Sequence, residues 1–179
     1  MSNARIANRY AKPLLELAQE GKVLEEVKED MADFAKLCEE NREFLLMLRS
    51  PIIPHLKKAE ILKKIFTGKS NKLTLSAFDI IARKNRENLL PEIAAEFVSE
   101  YNKVMGLQNA VVTTTFAIDA GMRKSFEQIV KDVTGSTAIL TEKVDPEIIG
   151  GYVLRMGDKQ LDQSISSDLK EIKLKFNKN

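Results

Sequence analysis

The stretch Gly106–Ile118, GLQNAVVTTTFAI, is where the apolar pattern of this chain changes period. Ala110, Val112, Phe116 and Ile118 alternate with their neighbours, and the run is rich in β-branched residues, so it reads as a strand. Everything upstream repeats instead at three and four residues. Helices are predicted over 6–21, 22–40, a short one at REFLLML (42–48), 55–66, 73–84 and 90–104. In the second, Leu24, Val27, Met31, Phe34 and Cys38 form a seam of the kind that faces a core. Pro51 and Pro54 stop the third helix, TGKSN separates the fourth from the fifth, and Pro91 sits in the first turn of the sixth, where proline is tolerated. Six short helices joined by brief loops pack as a bundle.

Downstream, Asp119 can cap a helix whose inner face is Phe126, Ile129, Val130 and Val133 and which Gly135 ends. TAILTEK (137–143) is a second strand, and Tyr152–Met156 alternates as a third. Gly157-Asp158 makes a hairpin corner, and QLDQSI returns as a fourth strand. Ser166 or Ser167 then caps a last helix, 167–176, carrying Leu169, Ile172, Leu174 and Phe176. The fold class is therefore α+β: an N-terminal six-helix bundle, residues 1–105, followed by a small mixed α/β C-terminal domain, residues 106–179.

Composition narrows the function. A chain of 179 residues with 44% hydrophobic and 30% charged residues can bury a core and stay soluble. Its formal net charge of +2 gives no field that would steer it to nucleic acid. A single cysteine, Cys38, excludes an intrachain disulfide, and with one histidine, His55, there is little material for zinc or for a His-paired nucleophile. No apolar run approaches the roughly 20 residues needed to cross a bilayer, and MSNARIANRY lacks the apolar centre of a signal peptide. The expectation is no metal, no cofactor and no direct membrane insertion; any membrane is met through a partner.

Candidate chemistry concentrates in GGYVLRMGDKQLDQS (150–164), with three glycines, two carboxylates, a lysine and a serine. A phosphate loop needs glycines beside a Lys-Ser/Thr pair, and here a strand separates Gly151 from Gly157. Asp158 and Asp162 fall on a turn and an alternating strand, which are wet positions, so a small acid–base enzyme is a poor reading; Asp162 and Ser164 suit local backbone bonds. His55 suits a surface or capping place and Cys38 a core place. The lysines 57, 58, 63, 64, 69 and 72 lack the interleaved aromatics of a base-stacking surface and read as a solvated face. Glu25, Glu26, Glu29, Asp30 and Asp33 read likewise as an exposed face of the second helix. The first helix differs. Ile6, Ala7, Tyr10, Ala11, Leu14, Leu15, Leu17 and Ala18 cover an arc of roughly 180°, wider than a core-facing stripe requires. Such an arc marks either a deeply buried helix or one with an edge left for a partner helix.

Taken in order, NRYAKPLLELA (8–18), LRSPIIPHLKKAEILKKIF (48–66), FDIIARKNRENLLPEIAAEF (78–97) and VDPEIIGGYVLRMGDKQLDQSISSDL (144–169) resemble the delta subunit of F-type ATP synthase, whose mitochondrial counterpart is the oligomycin-sensitivity-conferring protein. The resemblance implies a stator subunit of the peripheral stalk with no active site, resisting rotor torque during proton-driven ATP synthesis. It implies a bundle that grips N-terminal helices of the alpha subunits, in a groove between the first and fifth helices. Tyr10, Ala11, Leu14 and Leu15 match the family's first-helix motif; Phe78, Ile81 and Ala82 match the fifth. The C-terminal domain would engage the C-terminal region of the b subunit, on the cytoplasmic side of a bacterial inner membrane. Pro13 stands where the family usually has alanine, and Gln163 where it usually has glycine. Beside this reading stands a free-standing helical adaptor that has left the stalk.

Overall fold

The computed structural model describes residues 3–176. Six helices come first: α1 Asn3–Glu20, α2 Leu24–Glu40, α3 Arg42–Arg49, α4 His55–Phe66, α5 Lys72–Arg83 and α6 Leu90–Val104. A mixed region follows, with β1 Leu107–Thr114, α7 Ala120–Thr134, β2 Thr137–Val144, β3 Gly151–Met156, β4 Lys159–Ser164 and α8 Ile165–Phe176. The chain divides into two compact units, the first ending at Tyr101 and the second beginning at Asn102. The fold is α+β.

Phe34 of α2 centres the first unit's core, its ring 4.9 Å from Phe78, 5.7 Å from Phe66 and 5.9 Å from Phe44. Four helices thus meet on one aromatic cluster, at about 0.5–1.5 kcal/mol per ring pair beyond the area buried. Ala7, Ala11 and Ala18 of α1 are fully buried, and side chains this small let its backbone lie close to its neighbours. Pro13 is exposed and lies inside an α1 that runs unbroken from Asn3 to Glu20 despite the backbone hydrogen bond that proline removes.

Two charged groups read as solvated faces are fasteners instead. Lys58 is 2% exposed, and its Nζ donates to the Leu48 carbonyl and to Glu87 Oε1, each at 2.8 Å. It ties α4 to the end of α3 and to the 3-10 turn Glu87–Leu89 that leads into α6. From the acidic row of α2, Asp30 accepts from the Asn71 amide at 2.8 Å and the Thr74 hydroxyl at 2.6 Å. Glu26 accepts from the Asn71 side chain at 2.7 Å, while Asn71 itself caps α5 through the Leu73 amide. The start of α5 is therefore clamped by α2.

In the second unit the strand order is β2-β1-β3-β4. β1 and β2 run parallel, from Leu107 opposite Thr137 to Thr114 opposite Val144, with α7 as the crossover. β3 returns antiparallel to β1 and forms a hairpin with β4. Asp119 caps α7 by accepting from Met122 at 2.7 Å, and Gly135 ends it at φ 72°. Phe126 and Val130 bury against Ala110, Val112, Leu154 and Met156; Ile129 is half-buried and Val133 is exposed. β1 stops earlier than its alternation suggests. The Thr114 hydroxyl donates to the Phe116 carbonyl at 2.7 Å, turning the chain so that Phe116 lies exposed outside the sheet.

The glycine-rich stretch is scaffold. Gly151 takes φ 76°, and a Cβ there would stand 2.0 Å from the Gln163 carbonyl across the hairpin. Gln163 itself is not among the residues with positive φ. α8 begins at Ile165, before either serine expected to cap it, because buried Ser164 accepts from the Ser167 amide at 3.3 Å. The side chains of Leu174 and Phe176 lie outside the described residues.

Candidate protein-docking surfaces

The family-matched residues are mostly interior. Ala11, Leu14 and Leu15 of α1 and Phe78, Ile81 and Ala82 of α5 are all buried in the first unit itself, Phe78 within the aromatic cluster. Tyr10 alone of the seven is partly exposed. Its hydroxyl accepts from Arg86 Nη1 at 3.1 Å, and the Arg86 guanidinium lies 5.8 Å from its ring centroid. This contact connects α1 to the segment just beyond α5. Tyr10 thus ties α1 to the segment after α5, while the other six residues are buried in the first unit.

What the same helices offer outward is one step around each wheel. At about 100° per residue, Ile6, Tyr10 and Leu17 occupy one end of the α1 apolar arc, and Pro13 lies beside them. Ile6 and Tyr10 are half-buried and Leu17 is 52% exposed. The arc is wide because it serves two purposes: Ala7, Ala11, Leu14, Leu15 and Ala18 fill the core, and its far edge stays open. On α5, Leu73, Ala77 and Ile80 recur at spacings of four and three, half-buried except for Ile80 at 53% exposure. Leu17 and Ile80 lie outside the motif-matched set, and their wheel position at the edge of each arc is what singles them out.

The second unit carries another uncovered stripe. Ile165, Leu169 and Ile172 of α8 are spaced four and three apart and all exposed, Leu169 at 52% and Ile172 at 48%. That spacing is the seam of a helix that packs on another helix. Beneath it Asp162 accepts from the Ser164 amide at 3.0 Å and the Ser167 hydroxyl at 2.8 Å, fixing the exit of β4 into α8. These bonds, led by that from Ser164, hold its carboxyl below the usual range. Asp158 makes no part of this cluster, and the hairpin corner it occupies is exposed. His55 opens α4, and Cys38 is buried, its thiol pushed up to about 11 chiefly by burial. Neither belongs to a cluster of metal-ligating groups, of which there is none among the described residues.

Comparison with known proteins identifies the family. Residues 6–176 match the family model for the ATP synthase delta (OSCP) subunit. The ATP synthase subunit delta of Cytophaga hutchinsonii is 38% identical over 176 residues, covering 98% of this chain and 96% of that protein. That of Christiangramia forsetii is 36% identical over 179 residues, covering 100% and 97%. Among solved structures, a chain of the Toxoplasma gondii mitochondrial ATP synthase hexamer superposes with a TM-score of 0.74 at 22% identity, over 95% of this chain and 96% of its own. At that identity the likeness speaks for the fold.

Proposed function

The chain belongs to the ATP synthase delta (OSCP) family, and from that membership we propose how its two units divide the work of the peripheral stalk. It is a non-catalytic subunit of an F-type ATP synthase and a component of that stalk, taking part in ATP synthesis through the complex. In our reading the first unit binds N-terminal helices of the alpha subunits, and the second binds the C-terminal region of the b subunit. A stator of this kind holds the catalytic head still against the turning rotor.

The observation that carries the reading is the surplus edge of α1. Tyr10 and Leu17, with Ile80 of α5, present apolar area that the core does not use, as an amphipathic helix would require. The buried residues matched to the family form the bed that sets the position of both helices. For the second unit, the exposed α8 seam is the surface suited to a helix of the b subunit. Attachment to the cytoplasmic face of a bacterial inner membrane follows from these partners; no described helix is long and apolar enough to cross a membrane.

Titration calorimetry of the full chain with a peptide from the alpha subunit's N-terminus tests the first assignment. Leu17→Glu together with Ile80→Glu should weaken binding by at least about tenfold, the loss expected when a docked apolar side chain becomes charged. Both side chains are already half in water, so the melting temperature should hold. Equal affinity for parent and variant would remove α1 and α5 as the docking site. A free-standing adaptor, by contrast, would fail to bind either synthase peptide.

A further inference from the structure

β2 is an edge strand among the described residues, and its free side is unusually complete. The Thr137 amide donates to the Gly106 carbonyl and the Asp145 amide to the Thr114 carbonyl, each at 2.8 Å. Since a strand residue points its N–H and C=O the same way and its neighbours point theirs oppositely, the odd residues of β2 pair with β1. Ala138, Leu140 and Glu142 therefore turn their backbone groups outward. The edge is long and regular: β2 has eight residues, no proline and no break in its pairing with β1, and its charged residues, Glu142 and Lys143, lie toward its C-terminal end. Beside it runs a groove of about 330 Å³ between the strand and α7, lined by Lys124, Glu127, Gln128, Lys131, Thr137 and Ala138. Lys124 and Lys131 stand two helical turns apart and are exposed. The polar bonds nearby are Gln128 to Asp132 within α7 and the Arg123–Glu142 ion pair, so two lysines against one glutamate leave the groove basic.

We propose that the free edge of β2, flanked by Lys124 and Lys131, accepts an extended acidic segment of a partner chain as a fifth strand. The side chains of Ala138 and Leu140 face the α7 side of the sheet. A strand added at this edge also directs every second side chain toward α7. Acidic residues at those positions meet the two lysines, while main-chain bonds to Ala138, Leu140 and Glu142 hold the segment. This edge uses no residue of α1, α5 or α8, so it is independent of both docking surfaces proposed above.

The test uses the full chain, labelled with nitrogen-15, and a capped eight-residue peptide alternating glutamate with valine or threonine. Amide shifts and slowed hydrogen exchange should centre on Ala138, Leu140 and Glu142, and should weaken as salt is raised. A peptide N-methylated on alternate amides, which cannot pair, should not bind. Replacing its glutamates by lysine, or making Lys124→Glu with Lys131→Glu in the protein, should weaken binding about tenfold or more. The proposal is overturned by the absence of shifts at millimolar peptide. It is overturned equally if the N-methylated or lysine peptide binds as well, or if the same amides shift with protein concentration alone, which would give the edge to a second copy of this chain.

Discussion

Lys58 is the residue whose role its neighbours in sequence hide. Five other lysines surround it in a run that looks uniformly solvated, yet it alone is interior, because its partner Glu87 lies 29 residues away. Such a pairing depends on tertiary contact and leaves no local signal. Glu87 Oε2 has no hydrogen-bond partner, so the pair does less for stability than its geometry suggests. Breaking it from one side should be severe: Lys58→Ala strands a buried carboxylate and should lower urea-unfolding stability by about 3–5 kcal/mol. Lys58→Met combined with Glu87→Leu should recover most of that loss. A mild Lys58→Ala would show that water reaches Glu87. Cys38, in contrast, was legible from its place in the α2 seam. With its thiol held at about 11 by burial, it should react with Ellman's reagent at pH 8 only as fast as the first unit opens, and promptly in denaturant.

At the scale of elements, period and punctuation carried most of the information. All six helices of the first unit follow from three-four spacing and breakers, and the four strands from alternation and turns. What sequence could not place was where β1 yields to a side-chain bond, as at Thr114, or which serine starts α8. Both turn on a hydrogen bond whose partner is chosen in three dimensions. The glycines of β3 and α7 divide by the space around them. Gly151→Ala meets a carbonyl at once and should cost at least about 2 kcal/mol, whereas Gly135→Ala faces open space and should cost about 1 kcal/mol for its left-handed φ alone. Thermal melts of the two variants check the order, and an equal loss would contradict the close approach at Gln163. The Asp162 bonds predict a pH signature. Because its folded carboxyl titrates below the ordinary value, its stabilisation is complete above pH about 4 and lost as pH falls through the folded value. Asp162→Asn should therefore be less stable than the parent at pH 7 and converge on it in acid. A gap that persists at low pH would assign those bonds no ionic character.

For the whole molecule, the resemblance read from four sequence fragments gave the family, the fold class and the stalk role, and the comparisons agree with all three. The docking residues were less legible. A motif match selects positions by alignment with relatives, and on an amphipathic helix the best-matched positions are those that pack inward. The surface we propose lies at the edges of the same arcs, at Tyr10, Leu17 and Ile80, and includes the open seam of α8. Each unit thus keeps apolar area uncovered, which suits the two-partner role proposed above. The central claim is that one chain carries two separate grips. A bridging assay tests it most directly: the alpha N-terminal peptide is immobilised, and capture of a soluble C-terminal fragment of the b subunit is measured with and without the full chain. Capture should require the chain. Leu17→Glu with Ile80→Glu should stop the chain itself from binding the peptide, while Leu169→Glu with Ile172→Glu should leave the chain bound and lose only the b fragment. Capture of the b fragment without the chain, or unaltered by both pairs of substitutions, would contradict the account.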